Sequence, residues 1–225
     1  RIVDFFMAEG MKTIHANCVH EAKWTPEHAK VLYDEMKQMA DKLLANNDGT
    51  TVSLFSEDNF HPLSPEENGN WCGGTGAMLA FDPDGIAYPC LRYMPSSLGN
   101  DAPPIIVGTV DGVFEQPEHK AIKEYLDSIT RRSQSTDECW ECPVASGCAW
   151  CSAWNYQETG SVNCRSTNIC VMHKARALAN VYYWNKWYKQ NNINKKFKMH
   201  LLREEAEKII SPQEYDMLLR LSEED

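Results

Sequence analysis

Cys139-Trp140-Glu141-Cys142-Pro143-Val144-Ala145-Ser146-Gly147-Cys148-Ala149-Trp150-Cys151 puts four thiols within thirteen residues. Thiolates at that spacing suit a soft metal, because several sulfurs must converge on one centre. From Cys139 to Cys170 the chain is rich in Gly, Pro, Ser and Trp and has little hydrophobic periodicity. Such a stretch is ordered by a metal when it cannot bury a core of its own. Upstream, Ala77–Asp82 and Ile86–Cys90 read as two strands joined at Asp82-Pro83-Asp84-Gly85. Proline presets φ in that turn and glycine takes the positive-φ position. A hairpin brings its outer ends together, so Cys72, before the first strand, and Cys90, at the end of the second, are expected to be neighbours. Downstream, Cys170 lies at the start of a helix expected from Ile169 through Trp187.

Seven of the nine cysteines thus form one ordered array, with Cys164 as an extra. Iron–sulfur clusters are the natural reading of so many converging sulfurs. The competing device, four disulfides and a free thiol, belongs to small secreted domains without a sufficient core. At 225 residues this chain can bury one. Cys-x2-Cys pairs are also better metal ligands than structural disulfides. A reducing, cytoplasmic compartment is expected. The net charge of −10 and the lack of a Lys/Arg block argue against a nucleic-acid partner. Lys195, Lys196, Lys198 and His200 read as a solvated helix face. No apolar run approaches the ~20 residues that span a bilayer, so no membrane partner is expected. There is no secretory signal, and the chain opens at Arg1 in mid-element without a Met.

The N-terminal region alternates helix and strand. Residues 2–10 read as a helix end closed by Gly10, and Met11–Ala16 as a strand. Thr25-Pro26-Glu27 reads as a helix start with Leu32, Met36, Met39 and Leu43 on one apolar face, and Thr51–Phe55 as a second strand. This βα alternation predicts parallel strands flanked by helices, a piece of a barrel or sheet. Further elements expected are a polar linker after His61, a strand over Ile105–Val110, an amphipathic helix running to about Ile129, and one or two helices within Glu204–Leu219. Met36 and Met39 read as core and Cys18 as a buried inert thiol. His20 and Glu21 stand where a barrel gathers its ligands, although solvated loop residues are the plainer reading. His61, His119 and His173 have no partner at metal-ligand spacing. Trp71, Trp140, Trp150 and Trp154 crowd the cysteines, either as core packing or as a shell that keeps water from a metal.

Gly85-x4-Cys90 with Cys72 upstream, then Cys139-x2-Cys142-x5-Cys148 and the late Cys170, resembles the SPASM domain, the C-terminal extension of many radical S-adenosylmethionine enzymes. The resemblance implies two auxiliary [4Fe-4S] clusters. One would be held by Cys139, Cys142, Cys148 and Cys170, the other by Cys72, Cys90 and Cys151. Two residues separate Cys148 from Cys151, where the family usually has three. The fourth position of the Cys72 cluster has two readings: an open site for a substrate thiolate, or closure by Cys164. The N-terminal segment resembles the last βα units of a radical S-adenosylmethionine partial barrel. The hallmark Cys-x3-Cys-x2-Cys motif is absent from these 225 residues. S-adenosylmethionine and a third [4Fe-4S] cluster are therefore expected on an upstream portion, and no catalytic residue is assigned.

The resemblance implies an α/β fold in three segments. These are the C-terminal remnant of a (β/α) barrel over 1–65, a small α+β SPASM domain over 66–172, and C-terminal helices over 173–225. Residues 147–156 and 169–175 look most like peptide maturases acting on ribosomally made precursors. The complete enzyme is then expected to crosslink or oxidise a Cys-containing peptide, with an external electron donor. This segment is expected to be inactive alone. The alternatives are a sulfatase-maturase-like enzyme and a zinc-stapled peptide-binding module.

Overall fold

Thr25 begins the principal helix of the N-terminal region by capping it. Its hydroxyl accepts from the His28 backbone N–H at 3.5 Å, and His28 Nδ1 lies 3.3 Å from the Thr25 backbone nitrogen. This is a reciprocal capping box with histidine in the place usually taken by Glu or Gln. Pro26 follows at the first helical position, where its missing N–H costs nothing. The helix runs Pro26–Asn46 and ends on Asn47 at φ 41°. The computed structural model describes residues 2–70, 72–99 and 102–223. Trp71 and Arg1 lie outside the described residues. Within them, small sheets and helices mix, and no helix is long and apolar enough to cross a membrane.

The chain forms two compact units. One holds the residues up to Pro62, Pro143–Cys148 and the residues from Asn168 onward; the other holds Leu63–Cys142 and Ala149–Thr167. The residues after 173 therefore share a unit with the N-terminal segment, and the cysteine-rich stretch contributes to both.

In the first unit the expected βα alternation is present in a short form. Thr13–Ile14 and Thr51–Val52 pair in parallel, with Thr13 opposite Thr51, and the Pro26–Asn46 helix lies between them in sequence. That helix buries Ala29, Tyr33, Met36, Ala40, Leu43 and Leu44. Met39 falls at the edge of this stripe and is only half-buried. The main partner is the helix Cys170–Gln190, which is buried on almost every side. Ala175, Ala177 and Ala179 let neighbouring elements approach it closely, and Leu178 is fully buried between them. Each such buried aliphatic side chain contributes about 1.5–3 kcal/mol. The C-terminal helix Pro212–Glu223 packs on the same helix.

Two asparagines of Cys170–Gln190 tie loops to it. Asn180 donates to Leu54 O at 3.0 Å and Arg176 O at 2.8 Å, and accepts from the Ser56 backbone N–H at 2.8 Å. Asn185 binds both backbone groups of Phe197, each at 2.9 Å.

The second unit is built on a four-stranded antiparallel meander: Ala80–Phe81, Ile86–Tyr88, Gly108–Thr109 and Gly112–Val113. The expected hairpin turn is held by Asp82. Its Oδ1 accepts from the Asp84 and Ile86 backbone N–H groups at 3.0 and 2.9 Å, and its Oδ2 from the Tyr88 hydroxyl at 2.8 Å. Gly85 takes φ 79°, as the turn requires. Gly108 sits at φ 141°, where a Cβ would come 2.3 Å from Gly112 O; only glycine fits there. The core of this unit gathers Tyr88, Cys90, Tyr93, Leu126, Ile129, Ala153 and Val162. Leu126 comes from the helix Pro117–Ser128, and Ala153 from a helix over Ser152–Thr159 that the sequence did not suggest.

The Asp82 turn gives a pH signature. Hydrogen bonds, first of all from the Ile86 N–H, hold its carboxyl below the ordinary 3.8. A depressed folded pKa means support that is present above the unfolded value and lost as pH falls through the lower one. Protection of the Ile86 amide from exchange is expected to fall in the wild type once pH drops below 3.8. In Asp82→Ala it is expected to be low already and independent of pH in that range. Equal protection in the two proteins at neutral pH would show that Asp82 does not hold the turn.

Candidate metal centres

Cys90 ends the hairpin in extended backbone, at φ −165°, and enters the single 3-10 turn Leu91–Tyr93. Its thiol is buried in the core of the second unit, and burial pushes its pKa up. The Arg92 and Tyr93 backbone groups pull it back by hydrogen bonding to the charged form. Such N–H donors stabilise a negative sulfur and are what a ligating thiolate uses.

Cys72 is presented by a tight turn of small residues. The Thr75 hydroxyl and backbone N–H both return to Cys72 O, at 2.6 and 3.1 Å, while the Cys72 N–H is held by Asn70 Oδ1 at 3.0 Å. Cys151 caps the helix Ser152–Thr159. A helix N-terminus favours negative charge on a residue in that position.

These three segments meet at Gly74. A Cβ built on it would lie 2.9 Å from Ser152 Oγ, 3.2 Å from Cys90 Sγ and 3.5 Å from Cys72 Sγ. Both sulfurs therefore face a spot that is open only because residue 74 has no side chain. Ser152 Oγ is also 3.3 Å from Cys72 Sγ. The Cys72 and Cys151 sulfurs both raise the thiol pKa of Cys90, and with Cys90 they raise that of the Tyr93 hydroxyl. Burial is the largest cause at Tyr93 and keeps it protonated at any ordinary pH. The structure thus brings Cys72, Cys90 and Cys151 together with Ser152, Tyr93 and Gly74. Sequence reasoning missed the last three, although the Gly73-Gly74 pair directly after Cys72 was a visible sign of close approach.

A cavity of about 390 Å³, lined by residues that include Asn70, Cys72, Thr75, Lys123 and Asp127, flanks this group. Cys164 is exposed, whereas Cys90 is buried.

The remaining cysteines divide between the units. Cys139, in the short helix Asp137–Trp140, and Cys142 belong to the second, and both are half-buried. Cys148 and Cys170 belong to the first and are also half-buried, Cys170 as the first residue of the long helix. Trp150 and Trp154 are buried and Trp140 half-buried beneath the Arg132 guanidinium, 5.9 Å from its ring. Cys18 is half-buried, and burial raises its thiol pKa against the opposing pull of Arg176. The His20 carbonyl accepts from Asn168, and Glu21 is exposed.

Among the described residues, no three His, Cys, Asp or Glu side chains stand close enough to share one metal ion. Tetrahedral zinc, with Zn–S near 2.3 Å, needs its sulfurs about 3.8 Å apart. A cubane is far larger and spreads its cysteine ligands around itself. Sulfurs facing an open cradle at Gly74, with hydroxyl and amide donors beside them, fit such a group.

Comparisons of the chain with protein-family models, with curated proteins and with solved structures gave no match.

Proposed function

We propose that this chain is the auxiliary-cluster portion of a radical S-adenosylmethionine enzyme that crosslinks or oxidises a peptide. Cys72, Cys90 and Cys151 would hold one [4Fe-4S] cluster, and Cys139, Cys142, Cys148 and Cys170 the other. The observation that carries the reading is the meeting of Cys72, Cys90 and Cys151 about the Gly74 cradle. Three residues some 80 positions apart, from a turn, a hairpin end and a helix cap, supply sulfur to one place.

When bound, such clusters supply one-electron redox capacity beside the substrate. The chain's own residues do the rest. Ser152 is placed to donate its hydroxyl proton to the Cys72 sulfur once that sulfur is a thiolate. Tyr93, held protonated, offers a second O–H group on the same side as Ser152. Burial of Cys90 opposes its ionisation, so loading the site with metal must release that proton. Three protein ligands leave one position free, and the cavity beside Cys72 gives a peptide thiolate a way to reach it.

The test is iron, sulfide and zinc content of protein purified without oxygen, with its visible spectrum. About eight irons and eight sulfides per chain, with a broad brown absorbance, support the reading. One or two zinc ions and no colour overturn it. Cys164→Ala is expected to leave the iron content unchanged, because Cys164 is exposed and the fourth position is kept for substrate. Loss of about four irons in that variant would instead make Cys164 the closing ligand.

A further inference from the structure

Arg176 lies on the long helix Cys170–Gln190 and is only 7% exposed. A guanidinium stays protonated even when buried. Taking that charge out of water costs several kcal/mol unless an opposite charge compensates it. Yet its surroundings are neutral. Nη2 reaches only the Ser53 carbonyl, at a long 3.4 Å, Nε has no hydrogen-bond partner, and the cation faces the Phe60 ring at 5.5 Å.

The other side of Phe60 shows where compensation can come from. Its ring lies against the Gly147 backbone so closely that a Cβ there would be 2.3 Å from Cδ1. The next residue is Cys148. Backbone pairing holds this arrangement: the Ser146 N–H donates to His61 O at 3.1 Å, and the His61 N–H to Ser146 Oγ at 2.8 Å. Cys148 and Cys18 are the groups whose negative charge acts on the guanidinium. Burial raises the Cys18 thiol pKa, so Cys18 is neutral at ordinary pH. That leaves Cys148.

We propose that Arg176 is the buried countercharge of the metal centre that Cys148 serves, and that it raises the reduction potential of that centre. This rests on the two-cluster reading above. A cluster ligated by cysteine thiolates is anionic, and more so when reduced, so a fixed cation in a site of low dielectric favours the reduced state. Arg176 also explains itself on this reading: with the metal absent it is an uncompensated charge, and with the metal present it is paired.

The experiment is a potentiometric titration followed by electron paramagnetic resonance, in a Cys90→Ala background so that one cluster titrates. Arg176→Met is expected to disfavour reduction about tenfold, roughly 59 mV for one electron, and Arg176→Lys to recover most of that. A cluster present at an unchanged potential in Arg176→Met overturns the proposal. An iron-free parent protein overturns the cluster reading instead.

A second readout does not depend on the variant taking up metal. In the metal-free state Arg176→Met is expected to unfold at the same or a higher temperature than the parent, because an uncompensated charge has been removed. A drop there would mean that the guanidinium serves packing alone, and would overturn the proposal.

Discussion

Gly74→Val is expected to remove one cluster and spare the other, taking iron from about eight to about four per chain. The reason is space. Even a single methyl at residue 74 would sit 3.2 Å from Cys90 Sγ and 3.5 Å from Cys72 Sγ, in the place a cubane must occupy. The branches of valine extend further into it. The backbone at Gly74 is not in the left-handed region, so a side chain there brings no conformational strain. The empty protein can yield, since the nearest atom, Ser152 Oγ, is free to rotate. The circular dichroism of the variant should therefore match that of the wild type while its iron does not. Gly69→Val is the control, because a Cβ at Gly69 meets nothing within 4 Å. Eight irons in Gly74→Val would mean that Cys72, Cys90 and Cys151 do not enclose a cluster, whatever else the chain binds.

The largest effect on stability is expected at Asn180, which is 0% exposed. Replacing it with leucine keeps the volume but strands the Leu54 carbonyl and the Ser56 N–H away from water. It also removes the acceptor of the Trp184 indole N–H, 3.2 Å away. Buried groups left without partners cost about 1–3 kcal/mol each, so a total of about 3–5 kcal/mol follows. For a chain of this size that lowers the unfolding midpoint by about ten degrees. Trp184 and Trp187, both in this unit, report the transition by fluorescence. A loss under about 1 kcal/mol would mean that water or a shifted loop replaces the asparagine.

The predictions draw differently on the sequence. The Thr25-Pro26 helix start, the Asp82–Gly85 turn and the parallel pairing of the first two strands were legible because each depends on local chemistry. Asn180 and Asn185 were not: an asparagine within a helix reads as solvent-facing until the loops it binds are in place. The strand Gly112–Val113 is too short to show any alternation. The helix Ser152–Thr159 was hidden by the irregular cysteine stretch, although its closing Gly160, at φ 76°, was a usable signal.

At the candidate site, the spacing led to the meeting of Cys72 and Cys90, because a hairpin defines it. Cys151 was placed with them only through the resemblance. Ser152 and Gly74 became visible as partners only with the fold.

The interleaving of the two units sets a schedule for synthesis. Helix Pro26–Asn46 has its apolar stripe made early, but the helix that covers it, Cys170–Gln190, leaves the ribosome only after more than a hundred further residues. At ~5–20 residues per second the stripe waits on the order of ten seconds. The second unit finishes at Thr167, before that helix has been made. Cys72, Cys90 and Cys151 can therefore be in place while Cys170 is still unmade, so the two sets of thiols become available to an iron–sulfur donor in a fixed order. Shortage of that donor, or a pause after residue 151, should expose the Tyr33 and Met36 face to chaperones rather than disturb the antiparallel meander.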